Sequence, residues 1–474
     1  MQEKKIFAGH RVRRLRQSLR ISQAAMAQSL GISPSYLNLV EANQRPLTAQ
    51  LLLKLADAYD IDLRELSGEQ ETRLAAEIGE VLADPIFTGK LPARSEILEL
   101  AGANPTMGQA FLTLYRAYAG LQGGTPSPAD PDHHRDRMSA GRDDRFPIEE
   151  VRDYFHAQSN FIAQLDSRAE ELYSGLADAD DLFASLRGYL KERHGIRVSV
   201  TPMHVMPGLL RRFDHHNRRL FLSDLLPMPS RTFQAAVQVA LEDLAPVMNQ
   251  LCAEADLKTQ DARNLCRIGL ANYFAGALMM PYGRFLQAAE SLRYDITLLA
   301  GRFNASIEQV AHRLTTLQRQ GRSGVPFFLL RLDNAGNISK RFSAGGFHFA
   351  RVGGTCPRWR VHDAFATPGQ MIVQPVELPD GTIYLTISRT VETTPAPYPG
   401  AARKLAISLG CEISHTGRVV YGDGVDLNNP VSITPIGVTC RLCERQGCPA
   451  RAFPPITRPL SIDANRKNLS AFEF

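Results

Sequence analysis

The sequence predicts a multidomain chain, mainly α with α+β parts: an all-α amino-terminal domain, a central α+β domain and a mixed α/β carboxy-terminal domain. Three observations carry this. A chain of 474 residues exceeds what one hydrophobic core sustains, and at roughly 150 residues per domain it divides into about three. Apolar residues recur at helical spacing in short runs up to Tyr118 and in longer runs from Ile148 to Gln320, the pattern of helices with one buried face. Beyond Gly324 the texture changes to short β-rich runs punctuated by Gly and Pro, as strands joined by turns require.

Composition narrows the class. The hydrophobic fraction is 44% and the charged fraction 22%, near globular averages. No stretch approaches the ~18 uninterrupted apolar residues of a bilayer span, so no membrane association is expected. Met1 to Arg16 is basic but lacks the apolar run and cleavage site of a signal peptide, which predicts a cytoplasmic chain with reduced thiols. There the seven cysteines, five of them after residue 350, read as metal ligands or small core residues rather than disulfides. The net charge of +5 suits an anionic partner, DNA or a phosphate-bearing ligand, without choosing between them.

The first domain, residues 1–70, divides into four or five short amphipathic helices. Within it, Ser22 to Glu41 carries the parts of a helix-turn-helix in order. Ser22 can cap one helix, Ala27 is small where a second helix crosses, and Gly31 supplies the turn. Ile32 plugs the core, and Ser33 with Pro34 opens the next helix. Arg11, Arg13, Arg14, Arg16 and Arg20 make the preceding helix basic. This layout resembles the Cro/repressor-like family, whose second motif helix lies in the major groove. The resemblance implies that Ser33, Ser35, Tyr36 and Asn38 face base edges or phosphates and that Gln23 anchors the backbone. Asn43 and Arg45 would follow as further backbone contacts. Such proteins bind pseudo-palindromic operator DNA as dimers, and the helical stretch 71–121 is the dimerisation candidate.

Residues 122–146, with Gly123-Gly124-Thr125-Pro126-Ser127-Pro128 at their start, read as a flexible linker. The central domain, 147–320, alternates long helical patterns with two strands, Arg197 to Pro202 and Arg218 to Leu222. Residues 233–283 resemble the IrrE-like or ImmA-like zinc-peptidase family, most strongly at Ala271 to Pro281. Active members carry His-Glu-x-x-His on the preceding helix, because two His one turn apart meet one metal and the Glu activates its water. Here the corresponding positions are Val237, Gln238 and Leu241, and Leu270 replaces the third, acidic ligand. The resemblance therefore implies a degenerate, metal-free domain that is not an enzyme, with an abandoned pocket suited to a small ligand.

In the last domain, 321–474, Cys440, Cys443 and Cys448 form a Cys-x2-Cys-x4-Cys run followed by Pro449. Three thiolates and a fourth from another segment satisfy either tetrahedral zinc or a four-iron cubane. The lack of a second Cys-x2-Cys or His pair favours a 4Fe-4S cluster. Cys411 is the expected fourth ligand and Cys356 its rival. Cys252 and Cys266 lie in apolar helical surroundings and read as core.

The helix-turn-helix, the metal-free domain, Gly354-Thr355-Cys356-Pro357-Arg358-Trp359, Pro435-Ile436-Gly437-Val438 and the cysteine run together resemble the short-chain fatty acyl-coenzyme A regulator family over nearly the whole chain. That resemblance implies a homodimeric transcription factor that senses a short-chain acyl-CoA, such as propionyl-CoA or acetyl-CoA, and holds an iron–sulfur cluster. It would control genes of short-chain fatty acid metabolism. A coenzyme A ligand needs cations for its phosphates and an apolar slot for its acyl end. Arg218, Arg219 and Arg313 are candidates for the first, and Tyr273, Phe274 and Met280 for the second. Two other classes stay open: a metalloprotease-type regulator, and a phage-type repressor without a small effector.

Overall fold

The computed structural model describes residues 9–59, 69–122, 147–176, 181–455 and 458–474, with gaps at 20, 43, 83, 85, 88–91, 348, 350–353, 392–399, 401, 427–428 and 464. Nearly all of the expected linker, 122–146, and Asn43 therefore lie outside the described residues. The chain forms two compact units: residues 1–143 with 455–461 and 474, and residues 144–454 with 462–473.

The smaller unit is helical. Helices α1 (Gly9–Ser18), α2 (Gln23–Leu30), α3 (Pro34–Glu41) and α4 (Ala49–Tyr59) enclose a core of Val12, Met26, Leu30, Leu37, Val40, Leu51 and Leu55. Then come α5 (Glu69–Leu82), α6 (Arg94–Ala103) and α7 (Pro105–Gln122), packed on Leu74, Ile78, Ile97, Ala101 and Leu112. Their outer faces leave Leu100, Met107 and Leu114 exposed.

In the larger unit, the helical pattern that begins at Ile148 forms two helices, α8 (Pro147–Ala157) and α9 (Ala163–Gly175). Ser159 and Asn160 break it by adopting positive φ, which a helix cannot continue through. Helix α10 (Leu182–His194) leads into β1 (Arg197–Thr201), β2 (Arg211–Asp214) and β3 (Arg219–Ser223). These form a small sheet in the order β1-β3-β2, with β1 and β3 parallel. Strand β2 was not expected, because Arg-Arg-Phe-Asp shows no apolar alternation. Helices α11 (Met228–Asp243), α12 (Ala245–Glu254), α13 (Gln260–Met279), α14 (Tyr282–Ser291), α15 (Ile296–Arg302) and α16 (Ile307–Thr315) follow. Proline at the first turn of α12 and Pro281 before α14 divide runs that hydrophobic spacing reads as continuous.

After α16 the described regular elements are strands and 3-10 turns. Strands β4 (Phe328–Asp333), β5 (Ile338–Ser343), β6 (Ile372–Glu377), β7 (Ile383–Val391), β8 (Leu405–Glu412) and β9 (Thr434–Pro435) make a mixed six-stranded sheet, β5-β4-β8-β7-β6-β9. Side chains alternate across it, as the pleat requires. Leu329, Leu385, Ile407, Leu409 and Cys411 join Phe285, Leu299 and Leu314 of the helices in one core. Leu330, Tyr384 and Ala406 face the opposite side, with Cys356, Trp359 and Ile436.

Candidate functional site

The helix-turn-helix is built by local chemistry. Ser22 Oγ accepts from the Ala25 amide at 3.1 Å, Gly31 closes α2 at φ 63°, and Ser33 Oγ accepts from the Tyr36 amide at 3.1 Å. Ser33, Ser35 and Asn38 present exposed side chains and Tyr36 is half-buried, with Arg45 exposed beyond α3. Gln23 is tied inward: its Nε2 donates to Glu41 Oε2 at 3.0 Å and to Asn38 Oδ1 at 3.4 Å. Buried Glu41 also accepts two bonds from Arg16, at 2.7 and 3.0 Å, and this hydrogen bonding raises the Arg16 pKa above its ordinary value. Arg11 pairs with Glu71 at 3.3 Å. Two of the basic residues of α1 thus brace the domain, which charge counting alone did not reveal.

In the central domain, α11 carries Val237 and Gln238 in the core, α13 carries fully buried Leu270, and Leu241 packs at the margin of the same core. Where a metallopeptidase has its ligands and base, the donors are absent and an arginine arrives instead. Arg211 of β2 donates to Gln238 Oε1, and Gln238 Nε2 donates to Glu242 Oε1 at 2.8 Å. Burial lowers the Arg211 pKa, and its buried Nε has no hydrogen-bond partner among the described residues. Arg218 sits at positive φ in the β2–β3 turn. It bonds the His194 carbonyl at 2.9 Å and Glu242 at 3.0 Å, while Arg219 is exposed on β3.

The other four expected effector residues are buried in the core. Arg313 is 2% exposed and Tyr273, Phe274 and Met280 are 4%, 1% and 0% exposed. Arg313 donates to Asp166 at 2.5 Å, Thr316 Oγ1 at 2.8 Å and the Met280 carbonyl at 3.0 Å. The Tyr273 hydroxyl donates to the same Asp166 and accepts from the Ile162 amide at 3.0 Å. Burial, then Asp166, pushes the Tyr273 pKa well up. A buried cation needs a buried partner, and Asp166, 0% exposed, makes Arg313 a cross-link between α9 and α16 rather than a phosphate anchor.

The cysteine run is shaped by arginines. Arg451, 5% exposed, donates to the carbonyls of Cys440, Cys443 and Arg445 at 3.2, 3.0 and 2.6 Å. Arg445 in turn bonds Glu377 and the Leu378 carbonyl at 2.9 and 2.8 Å. Gly437 lies so close that a Cβ there would stand 2.8 Å from Cys443 Sγ. The amides of Gly437 and Arg358 bond the Cys356 sulfur, whose pKa burial raises, with Cys440 and Cys443 as charged neighbours. Cys356 therefore belongs with the run. Cys411 does not: it is 0% exposed, on the helix-facing side of β8, and burial pushes its thiol up to about 12. The expected fourth ligand is on the wrong face of the sheet, because its alternation places it with Leu409 and Ile407 while Cys356 and Ile436 lie on the other side. Among the described residues no three His, Cys, Asp or Glu side chains are arranged to hold a metal ion. The neighbouring donors Cys356, Cys440 and Cys443 are all sulfur, with the Gly437 and Arg358 amides directed at Cys356, a chemistry that suits thiolate-ligated iron or zinc.

A helix-turn-helix reader, a peptidase-like domain without the metal-binding motif and a cysteine-bearing β domain define a DNA-binding transcriptional regulator. The chain belongs to the short-chain fatty acyl coenzyme A regulator family. The family model for that regulator's C-terminal part matches residues 316–472, the IrrE N-terminal-like domain matches 191–315, and Helix-turn-helix matches 12–66. The chain is similar to the HTH-type transcriptional regulator RamB of Mycobacterium tuberculosis, 39% identical over 99% of this chain and 98% of that one. It is similar to the propionyl-CoA carboxylase regulator of Cereibacter sphaeroides, 40% identical over 99% of each. A solved Mycobacterium tuberculosis transcriptional regulator matches with a TM-score of 0.67 and 40% identity, covering 69% of this chain and all of that one. No helix among the described residues is long and apolar enough to cross a membrane.

Proposed function

We propose that this regulator senses a short-chain acyl-CoA, of the propionyl- or acetyl-CoA kind, and controls genes of short-chain acyl-CoA metabolism. The observation that carries the reading is Arg211: a cation with a buried Nε that has no partner among the described residues, set against Gln238 where a peptidase would hold its general base. An anionic or carbonyl-bearing ligand satisfies such a donor, and a catalytic metal does not. Arg219, exposed on the adjoining strand, supplies further positive charge, while Arg218 beside it is paired with Glu242. The names of the relatives that it resembles point to the same metabolites. A metalloprotease reading fails on Val237, Gln238 and Leu241, which offer neither ligands nor a base.

Binding acts by population shift: a ligand that favours one of two conformations by about 1–3 kcal/mol changes DNA affinity by the corresponding factor. The protein works as a homodimer through the exposed apolar face of α6 and α7, at Leu100, Met107 and Leu114. Cys356, Cys440, Cys443 and Cys448 would be the ligands of a 4Fe-4S cluster, with zinc as the alternative occupant. When bound, it supplies an iron- and redox-dependent tie across the loop.

The deciding experiment measures DNA affinity at fixed salt, and thermal stability, of anaerobically purified protein with free CoA and a panel of short acyl-CoAs. A joint shift with one acyl-CoA is expected. DNA binding indifferent to every acyl-CoA would leave a phage-type repressor. Iron and sulfide analysis of the same preparation addresses the loop: Cys356→Ser should abolish bound iron while Cys411→Ser retains it, and stoichiometric zinc without iron would overturn the cluster.

A further inference from the structure

A second pair of cysteines lies far in sequence from the sulfur-rich loop, at the packing of α12 on α13. Cys252, near the end of α12, is 6% exposed and lines a cleft of about 440 Å³ bounded also by Asn249, Asp256, Gln260, Arg263 and Arg267. Its Sγ is directed at the Arg263 carbonyl, 3.8 Å away, one helical turn before fully buried Cys266 on α13. Arg267 on the next position carries a buried Nε without a hydrogen-bond partner among the described residues. A thiol at the wall of a polar cleft, a second thiol behind it and an arginine donor beside them make an arrangement that a packed apolar core does not need.

We propose that Cys252 and Cys266 are an oxidisable dithiol, at which a hydroperoxide entering the cleft oxidises Cys252 and Cys266 then closes a disulfide between α12 and α13. Two further features support the order of events. Hydrogen bonding from Cys266 and the charge of Arg267 lower the Cys252 pKa, whereas Cys266 is held well above its ordinary value by its bond to Cys252 and by burial. The thiolate is the nucleophile, so the cleft-lining sulfur reacts first.

The chemistry balances. Cys252 sulfur attacks one peroxide oxygen and the O–O bond breaks. Sulfur gives up two electrons and becomes a sulfenic acid, and the other oxygen leaves as an alcohol, or as water from hydrogen peroxide, carrying the thiol proton. Cys266 sulfur then attacks the sulfenyl sulfur, the S–S bond forms as the S–O bond breaks, and the hydroxyl leaves as water with the Cys266 proton. Closure removes the Cys252 bond to the Arg263 carbonyl and pins the first turns of α13, the helix that carries Leu270 and Tyr273 farther along. Reversible disulfides of this kind are the form in which cytosolic thiols report oxidants.

The test uses the full chain, purified anaerobically and titrated with hydrogen peroxide, followed by unfolding, alkylation and tryptic mapping. Cys252 falls in peptide 232–258 and Cys266 in peptide 264–267, apart from every cysteine of the C-terminal loop. The expected product is the two peptides joined, two mass units lighter than their sum. Cys266→Ser should accumulate a sulfenic acid at Cys252 that dimedone traps, and Cys252→Ser should slow the loss of the Cys266 thiol at least tenfold. Full alkylation of both cysteines after the C-terminal thiols have oxidised would overturn the proposal, as would Cys266 reacting first. The map of the unsubstituted chain decides even where a serine variant does not fold.

Discussion

Arg313 and Arg211 both carry a guanidinium into the central domain, but the first distributes its donors over Asp166, Thr316 and the Met280 carbonyl, whereas the second reaches Gln238 and leaves its Nε unmatched among the described residues. Both are arginines of the central domain, and residue type alone gives no ground for ranking one above the other. The difference lies in the partner. Asp166 neutralises Arg313 inside the core, and a neutralised, fully bonded cation has nothing left to offer a ligand. Gln238 is neutral and accepts through one oxygen, so Arg211 keeps both charge and donor capacity.

The largest expected effect comes from breaking the saturated arginine. Asp166→Ala strands Arg313 and removes the acceptor of the Tyr273 hydroxyl together, and should cost about 3–5 kcal/mol. Calorimetry checks this. A loss below about 1 kcal/mol would mean that the knot is solvated and that Arg313 is free to meet a ligand after all.

A smaller effect tests the surroundings of the same arginine. His312 precedes Arg313 and packs on Phe342 with ring centroids 4.5 Å apart. Burial, then Lys340, lowers its pKa from 6.5 to about 3. Its folded value lies below its unfolded value, so between these limits the unfolded chain binds more protons and stability falls as pH falls. The contribution is whole above pH 6.5 and diminishes toward pH 3, by at most about 2 kcal/mol at pH 5. Denaturant titrations at pH 7 and pH 5 should show it, and His312→Phe should remove that share of the pH dependence.

How much of this was readable beforehand follows the range of the interactions. Ser22, Gly31, Ser33 and Pro34 act on neighbours within four residues, so the helix-turn-helix was legible, caps included. The loss of metal ligands at Val237, Gln238 and Leu241 was legible because it is a local spacing. Asp166 meets Arg313 across 147 residues, and nothing in the pattern around Leu165-Asp166-Ser167 marks a buried acid. Strand β2 was hidden for the same reason: its pairing with β3, not its own composition, makes it a strand and directs Arg211 to Gln238. Cys411 was expected ahead of Cys356 because the pattern does not show which face of the sheet each side chain meets.

The smallest effect on stability should come with the largest on response. Arg211→Lys keeps a cation and a donor for Gln238 Oε1, so the buried amide stays satisfied and stability should change by about 1 kcal/mol or less. What it removes is the guanidinium fork and with it the unmatched Nε. Apparent affinity for the active acyl-CoA, read from the shift in DNA binding at fixed salt, should weaken at least tenfold, about 1.4 kcal/mol. DNA affinity without ligand should not move, because the helix-turn-helix core is built on its own contacts. An unchanged ligand response in a stably folded Arg211→Lys protein would place the effector elsewhere. The unmatched donor would then be a feature of the degenerate metal site alone.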